Sequence, residues 1–248
     1  MPENILNGRT ALVTGATGRI GREIALSLAV EGVNVLIHYR HSRLEAETIY
    51  REIRKHGVGA WLLQADFNNS RNCELFIKRA EKIAGKPDIL INSASSFTES
   101  TLQKVSKNDL IDNMQINAWA PLLIGRAFSR SAGDTGAIVN LLDSRIRGYD
   151  RSHVGYILSK HALEVLTAMM AMEFAPRITV NAVAPGLILP LTGAIRQVKN
   201  IPLKRNGDAR DIARAVVFLL KSGFITGQVI WVDGGRHVRE CCNNGLYR

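Results

Sequence analysis

The sequence predicts a doubly wound α/β fold, a parallel sheet of about seven strands with helices on both faces. Three observations carry that expectation. Short Val/Ile/Leu-rich runs alternate with helical patterns along nearly all of the 248 residues. The runs are almost continuously apolar, as strands covered on both faces must be. No Pro- or Ser-rich linker divides the chain, so one domain is expected over 1–248, with its core at about 9–235 and a tail at 236–248.

The first strand is TALVTG, β-rich and closed by glycine, and a helical period follows from Arg19 to about Ala29. VNVLIHY is the second strand; RLEAETIYREIRKHG is the second helix, ended by Gly57 because glycine accepts the left-handed conformation of a helix stop. Next come the strand AWLLQAD, a helix around Cys73 to Ile83, the strand DILIN and a loop from Ser93 to about Ser106. A long helix is expected from about Lys107 to Ser131, then the strand AIVNLL and the long helix of HVGYILSKHALEVLTAMMAME. ITVNAVAP, a loop, the helix DARDIARAVVFLLKS and the strand QVIWVDGG complete the alternation.

A hydrophobic content of 46% and a charged content of 22% are those of an ordinary soluble protein. With no apolar run of about 18 residues and no charged-then-apolar leader, a cytoplasmic protein with no membrane partner is expected. The formal charge of +10 is spread along the chain without a basic block or an aromatic-interleaved stripe. That argues against a nucleic-acid partner and suits a phosphorylated small molecule. Cys73 stands alone and Cys241 and Cys242 are adjacent in the tail, which is neither a disulfide framework nor a zinc spacing. No metal is expected.

Thr14-Gly15-Ala16-Thr17-Gly18-Arg19-Ile20-Gly21 joins the first strand to the first helix. Glycines there let the backbone approach a pyrophosphate, and the helix N-terminus supplies amide donors; a merely tight strand-helix turn is the plainer alternative. NAD binders place an acid near the end of the second strand for the ribose hydroxyls. This chain has LIHYRHSR instead, so His38, Arg40 and Ser42 are candidates for a 2′-phosphate, with Arg19 adding charge nearby. NADPH is preferred over NADH.

Further along, Asp143, Tyr156 and Lys160 stand as Asp-x12-Tyr-x3-Lys. Tyr156 and Lys160 share one helix face, and a nearby cation is expected to favour the phenolate and bring the tyrosine toward the working range. Tyr-x3-Lys alone is weak. Joined by the glycine turn, Asn92-Ser93-Ala94, Asn117 and Pro185-Gly186, it makes the chain resemble the short-chain dehydrogenase/reductases from about Arg9 to Gly235.

The resemblance implies a Rossmann-type fold. It makes Tyr156 the proton donor or acceptor, Lys160 a ribose-binding residue that also lowers the tyrosine pKa, and Asn117 the holder of a water in a proton relay. Asp66 would contact adenine, and Tyr39, Phe67, Ser93, Ala94, Pro185 and Gly186 join Gly15, Ile20 and Gly21 around the cofactor. Two departures narrow it: Arg19 replaces a glycine of the usual loop, and Asp143 stands where a serine is usual. Both match the pteridine reductases, as do HYRHS and Asn92-Ser93-Ala94-Ser95-Ser96-Phe97. That branch implies that Phe97 stacks on a pterin opposite the nicotinamide, Ser95 bonds substrate or cofactor, and Arg19 reaches both a phosphate and the pterin.

Reducing a C=N bond requires protonation of a ring nitrogen, in which a carboxyl beside the tyrosine can take part. The alternative is that Asp143 caps its loop and Ser144 is a conventional catalytic serine displaced by one residue. Leu187, Ile188 and Leu189 could line an apolar substrate wall. The basic end of that loop suits either an anionic tail or solvent, and the C-terminal tail either reaches a neighbouring subunit or stays unstructured. The expected function is NADPH-dependent reduction of a dihydropterin (dihydromonapterin, dihydrobiopterin or dihydrofolate), in a homotetramer packed through the apolar residues of 111–131 and 154–174. The alternatives are an NADPH carbonyl reductase of a 3-oxoacyl or sugar ketone, and a cofactor-binding regulator without turnover.

Overall fold

The computed structural model describes residues 5–148, 150–188, 198 and 201–238. Seven strands, β1 (Thr10–Val13), β2 (Asn34–Tyr39), β3 (Ala60–Gln64), β4 (Ile89–Asn92), β5 (Gly136–Leu141), β6 (Ile178–Pro185) and β7 (Val229–Val232), form one parallel sheet in the order β3-β2-β1-β4-β5-β6-β7. The helices are α1 (Arg19–Val30), α2 (Arg43–Arg54), α3 (Ser70–Ala84), α4 (Lys107–Met114), α5 (Ala120–Ser131), α6 (Val154–Phe174) and α7 (Ala209–Lys221).

The period of two along each strand divides the core into two layers. Ala11, Val13, Val35, Ile37, Ile89 and Ile91 face one side with α1, α2 and α7. Leu12, Leu36, Leu90, Ile138 and Val180 face the other, against Phe76 of α3, Phe128 of α5 and Met170 of α6. Each of these Val, Leu, Ile, Phe and Met side chains contributes about 1.5–3 kcal/mol by leaving water, which is why these strands read as unbroken apolar runs. At the sheet edge β7 is only half-buried.

The chain reverses direction across the sheet between β1 and β4, the point where open α/β sheets form a crevice at the carboxyl ends of their strands. One helix differs from expectation. The stretch from Lys107 to Ser131 is interrupted by a π-helical turn, Gln115–Trp119, in which the Ala120 N–H reaches back to the Gln115 carbonyl. Pro121 has no N–H to give to the Asn117 carbonyl, so the regular ladder cannot close there.

Candidate active site

A cleft of about 740 Å³ lies over the β1/β4 crevice and runs from the glycine turn to Tyr156 and Lys160. At its first end the chain leaves β1 through Thr14, whose hydroxyl oxygen accepts the Ser93 and Ala94 N–H groups at 2.9 and 3.0 Å. Gly15 has φ +61°, and a Cβ there would meet the Ala94 Cα at 2.7 Å; on Gly21 it would meet the Gly15 carbonyl oxygen at 2.4 Å. Only glycine fits either place. Gly18 caps α1 without a side-chain bond, and no acid stands in the first turn. Orphan amides and the positive end of the helix dipole therefore face the cleft. Ile20, Ser93, Ala94, Pro185 and Gly186 line it as well.

Beyond β2, Arg40, Ser42 and also His41 line the far end. Arg40 pairs with Asp66 at 3.1 Å, both partly exposed. Two expectations about this strand are corrected. His38 is only 3% exposed, and both ring nitrogens are taken: Nδ1 accepts the Gly15 N–H at 2.9 Å and Nε2 donates to the Ala65 carbonyl at 3.2 Å. Its ring stacks on Phe67 at 4.3 Å, and burial pushes its pKa down to about 4. It is a neutral strut under the glycine turn that still lines the cleft, with no ring N–H left to give to a phosphate. Tyr39 points to the opposite face, into the α1/α2 layer, and does not line the cleft.

At the other end, Asp143 follows β5 and caps a 3-10 turn, Ser144–Arg147. Its Oδ1 accepts the Arg145 N–H at 2.8 Å and its Oδ2 accepts the Tyr156 O–H at 2.9 Å. The capping role and the tyrosine contact thus coexist in one carboxylate. Ser144 is buried and has no hydrogen-bond partner among the described residues, so the tyrosine's partner is Asp143. Lys160 is buried one turn along α6 and donates to the Leu141 carbonyl at 2.7 Å, with Nζ 5.6 Å from the phenol centroid.

The electrostatics reverse the expected direction for the tyrosine. Burial, followed by the Asp143 carboxylate, holds the Tyr156 pKa well above its usual 10. Burial pushes the Lys160 ammonium down to about 8, against the pull of Asp143. Sharing a helix face with a cation does not lower a phenol whose hydroxyl touches a carboxylate. Tyr156 is accordingly a neutral O–H at neutral pH, its proton resting on Asp143 Oδ2.

Asn117 sits in the π-helical turn and is fully buried. Its amide nitrogen donates to the Ser96 carbonyl and the Ser159 hydroxyl at 2.8 and 2.9 Å, and its oxygen accepts from the Ser95 hydroxyl and the Ser96 N–H. It ties the loop after β4 to α6. Ser95 thus spends its proton on Asn117 and offers lone pairs to the cleft.

Phe97 is half exposed; it stacks on His153 at 4.1 Å and meets Tyr156 edge-on at 4.7 Å. The Arg19 guanidinium donates to the Ile188 carbonyl at 2.8 Å, joining the glycine turn to the loop after β6, where Leu187 and Ile188 line the cleft. Leu189, most of that loop and 239–248 with both tail cysteines lie outside the described residues. Sequence reasoning missed Arg145, His153 and His41. The first two stand two residues after Asp143 and three before Tyr156, spacings that place them beside the pair.

The family described as Enoyl-(Acyl carrier protein) reductase matches residues 15–237. The 3-oxoacyl-[acyl-carrier-protein] reductase FabG of Staphylococcus epidermidis is 35% identical over 249 residues, covering 93% of this chain and 99% of that protein. Among solved structures, FolM Alternative dihydrofolate reductase 1 from Brucella canis, complexed with NADP, is 33% identical with a TM-score of 0.88, over 93% of this chain and 95% of that one. The promiscuous reductase LugOII, which catalyses keto-reduction at C1 during lugdunomycin biosynthesis, is 32% identical with a TM-score of 0.87, over 94% and 99%.

Proposed function

The chain belongs to the short-chain dehydrogenase/reductase superfamily, and on that premise we propose that it reduces the C=N bond of a dihydropterin with NADPH, giving the tetrahydro form. The observation that carries the reading is the Tyr156 O–H resting on Asp143 Oδ2 at 2.9 Å, with Phe97 edge-on beside it. The cleft fits a phosphorylated dinucleotide: the glycine turn from Gly15 to Gly21 lines it, α1 is uncapped there, and Arg40, His41 and Ser42 stand where a 2′-phosphate would lie. The NADP bound in the Brucella canis relative supports the same choice.

Held along the glycine turn and by Lys160, NADPH would supply the hydride for the substrate carbon. Tyr156 turns its O–H from Asp143 to the ring nitrogen and delivers the proton, so that one hydride and one proton saturate the C=N bond. The phenolate left behind lies beside a carboxylate, which favours its prompt reprotonation from solvent through Asp143. Lys160, fixed by Leu141, keeps a positive charge behind the tyrosine and presents an ammonium to the cofactor ribose. Asn117 holds the Ser96 backbone and the Ser95 hydroxyl, which fixes the approach to Phe97 as an apolar wall.

A second reading, reduction of a ketone such as a 3-oxoacyl group, is favoured by the Staphylococcus epidermidis relative and by LugOII. Ser144 weighs against it, since a serine hydroxyl bonded to the tyrosine is what ketone reduction would use and here a carboxylate stands in that place. NADPH oxidation assayed with 7,8-dihydrobiopterin and with a panel of ketones separates the two, and turnover of ketones alone sinks the pterin reading.

Leu158, Val165, Met169 and Met172 of α6 and Ile111 and Trp119 of the α4 stretch are exposed apolar residues, which supports assembly with further copies of the chain into a tetramer. No helix among the described residues is long and apolar enough to cross a membrane.

A further inference from the structure

Arg145 has no part in the chemistry above, yet it occupies the substrate end of the cleft. Its backbone N–H anchors Asp143 Oδ1, so its position is tied to the carboxylate that holds Tyr156. Its guanidinium lies over the Phe97 ring, 4.9 Å from the centroid, and donates to Asp150 Oδ2 at 3.0 Å. Asp150 is itself fixed, accepting the Ser152 N–H through Oδ1 at 2.8 Å and meeting His153 Nδ1 through Oδ2 at 2.9 Å. His153 in turn stacks on Phe97. Phe97, His153, Asp150 and Arg145 therefore form one closed cluster around the aromatic wall.

A guanidinium carries five N–H donors, and among the described residues Asp150 is the sole acceptor bonded to this one. The remaining donors belong to a side chain that is 27% exposed, while Tyr156 is 6% exposed. Both line the cleft and Arg145 is the more exposed of the two, so the arm of a flat ring whose reacting bond meets the tyrosine would extend toward it. Asp150 offsets its charge, so the free donors suit a neutral hydroxyl or carbonyl oxygen, and a bare carboxylate would be repelled by Asp150.

We infer that Arg145 is a specificity-determining residue: held by Asp150 over Phe97, it donates to an oxygen on the side arm of a flat substrate lying against that ring. The inference rests on the dihydropterin reading proposed above.

The test compares two substrates with the same ring, 7,8-dihydrobiopterin, whose arm carries hydroxyls, and 6-methyl-7,8-dihydropterin, whose arm carries none. Steady-state NADPH oxidation is measured for the wild type, Arg145→Met, Arg145→Lys and Asp150→Asn. Arg145→Met is expected to raise KM for dihydrobiopterin by about tenfold more than for the methyl compound, the worth of one lost charge-assisted hydrogen bond. Arg145→Lys recovers part of that difference. Asp150→Asn, which loosens the guanidinium without removing it, shifts KM in the same direction by less and serves if Arg145→Met fails to fold. Equal changes for both substrates, or a loss confined to kcat, overturn the inference and leave the pterin reading standing. A wild type that oxidises no NADPH with either compound overturns both, and is told apart because the failure precedes any substitution.

Discussion

His38→Gln tests the strut beneath the glycine turn. In the native protein the imidazole must be neutral, because Nδ1 accepts from Gly15 and a proton on it would set two donors against each other. The folded pKa is about 4 against an ordinary 6.5. Between those values the unfolded chain binds more protons than the folded one, so stability is whole above pH 6.5 and falls as pH drops toward 4. The depression corresponds to about 3 kcal/mol, lost in full below pH 4. Glutamine can accept from Gly15 and donate to Ala65 but does not titrate. At pH 7 the variant is less stable, since it loses the stack on Phe67. Urea unfolding at a series of pH values should show the wild type's lead over the variant narrowing by up to about 3 kcal/mol through that window. A lead that stays constant from pH 7 to pH 4 would show that His38 is not held neutral by the fold.

Other outcomes follow from the same contacts. Lys160→Met removes an ammonium whose fall from 10.5 to about 8 reflects a burial cost of about 3 kcal/mol, against about 1 kcal/mol for the lost bond to Leu141. The variant should be about 2 kcal/mol more stable than the wild type at pH 7 by denaturant unfolding. Its lead should shrink as pH rises from 8 to 10.5, where the buried lysine sheds its proton, and its turnover should fall. Tyr156→Phe should lower kcat by about 10²- to 10⁴-fold while NADPH binding, followed by fluorescence, is retained.

The sheet was legible because its strands are buried on both faces, so Ile89-Leu90-Ile91 and Val180 to Val183 could be little else. The glycine turn was legible too, since Gly15 and Gly21 stand where any side chain collides with backbone. What failed was whatever depends on distance across the fold. His38 reads as a 2′-phosphate candidate and Tyr39 as a cofactor residue, yet both are buried in β2: His38 meets the cleft with its ring nitrogens already bonded, Tyr39 faces the α1/α2 layer, and Arg40 is the first exposed residue. The tyrosine's direction of shift was misread because its burial, and after that the contact with Asp143, depend on the fold, while Lys160 is near in sequence. The π-helical turn left one trace, a proline four residues after Asn117, which marks a missing hydrogen bond. Arg145 escaped notice because a loop arginine reads as solvated until Asp150 and Phe97 are seen beside it.

The most direct test of the pterin assignment is a crystal structure of the ternary complex with NADP⁺ and a dihydropterin. The ring is expected to stack between Phe97 and the nicotinamide, with a ring nitrogen within hydrogen-bonding distance of the Tyr156 hydroxyl. A ring bound elsewhere, or a site that stays closed to the pterin while a 3-oxoacyl ligand places its carbonyl at Tyr156, would contradict it.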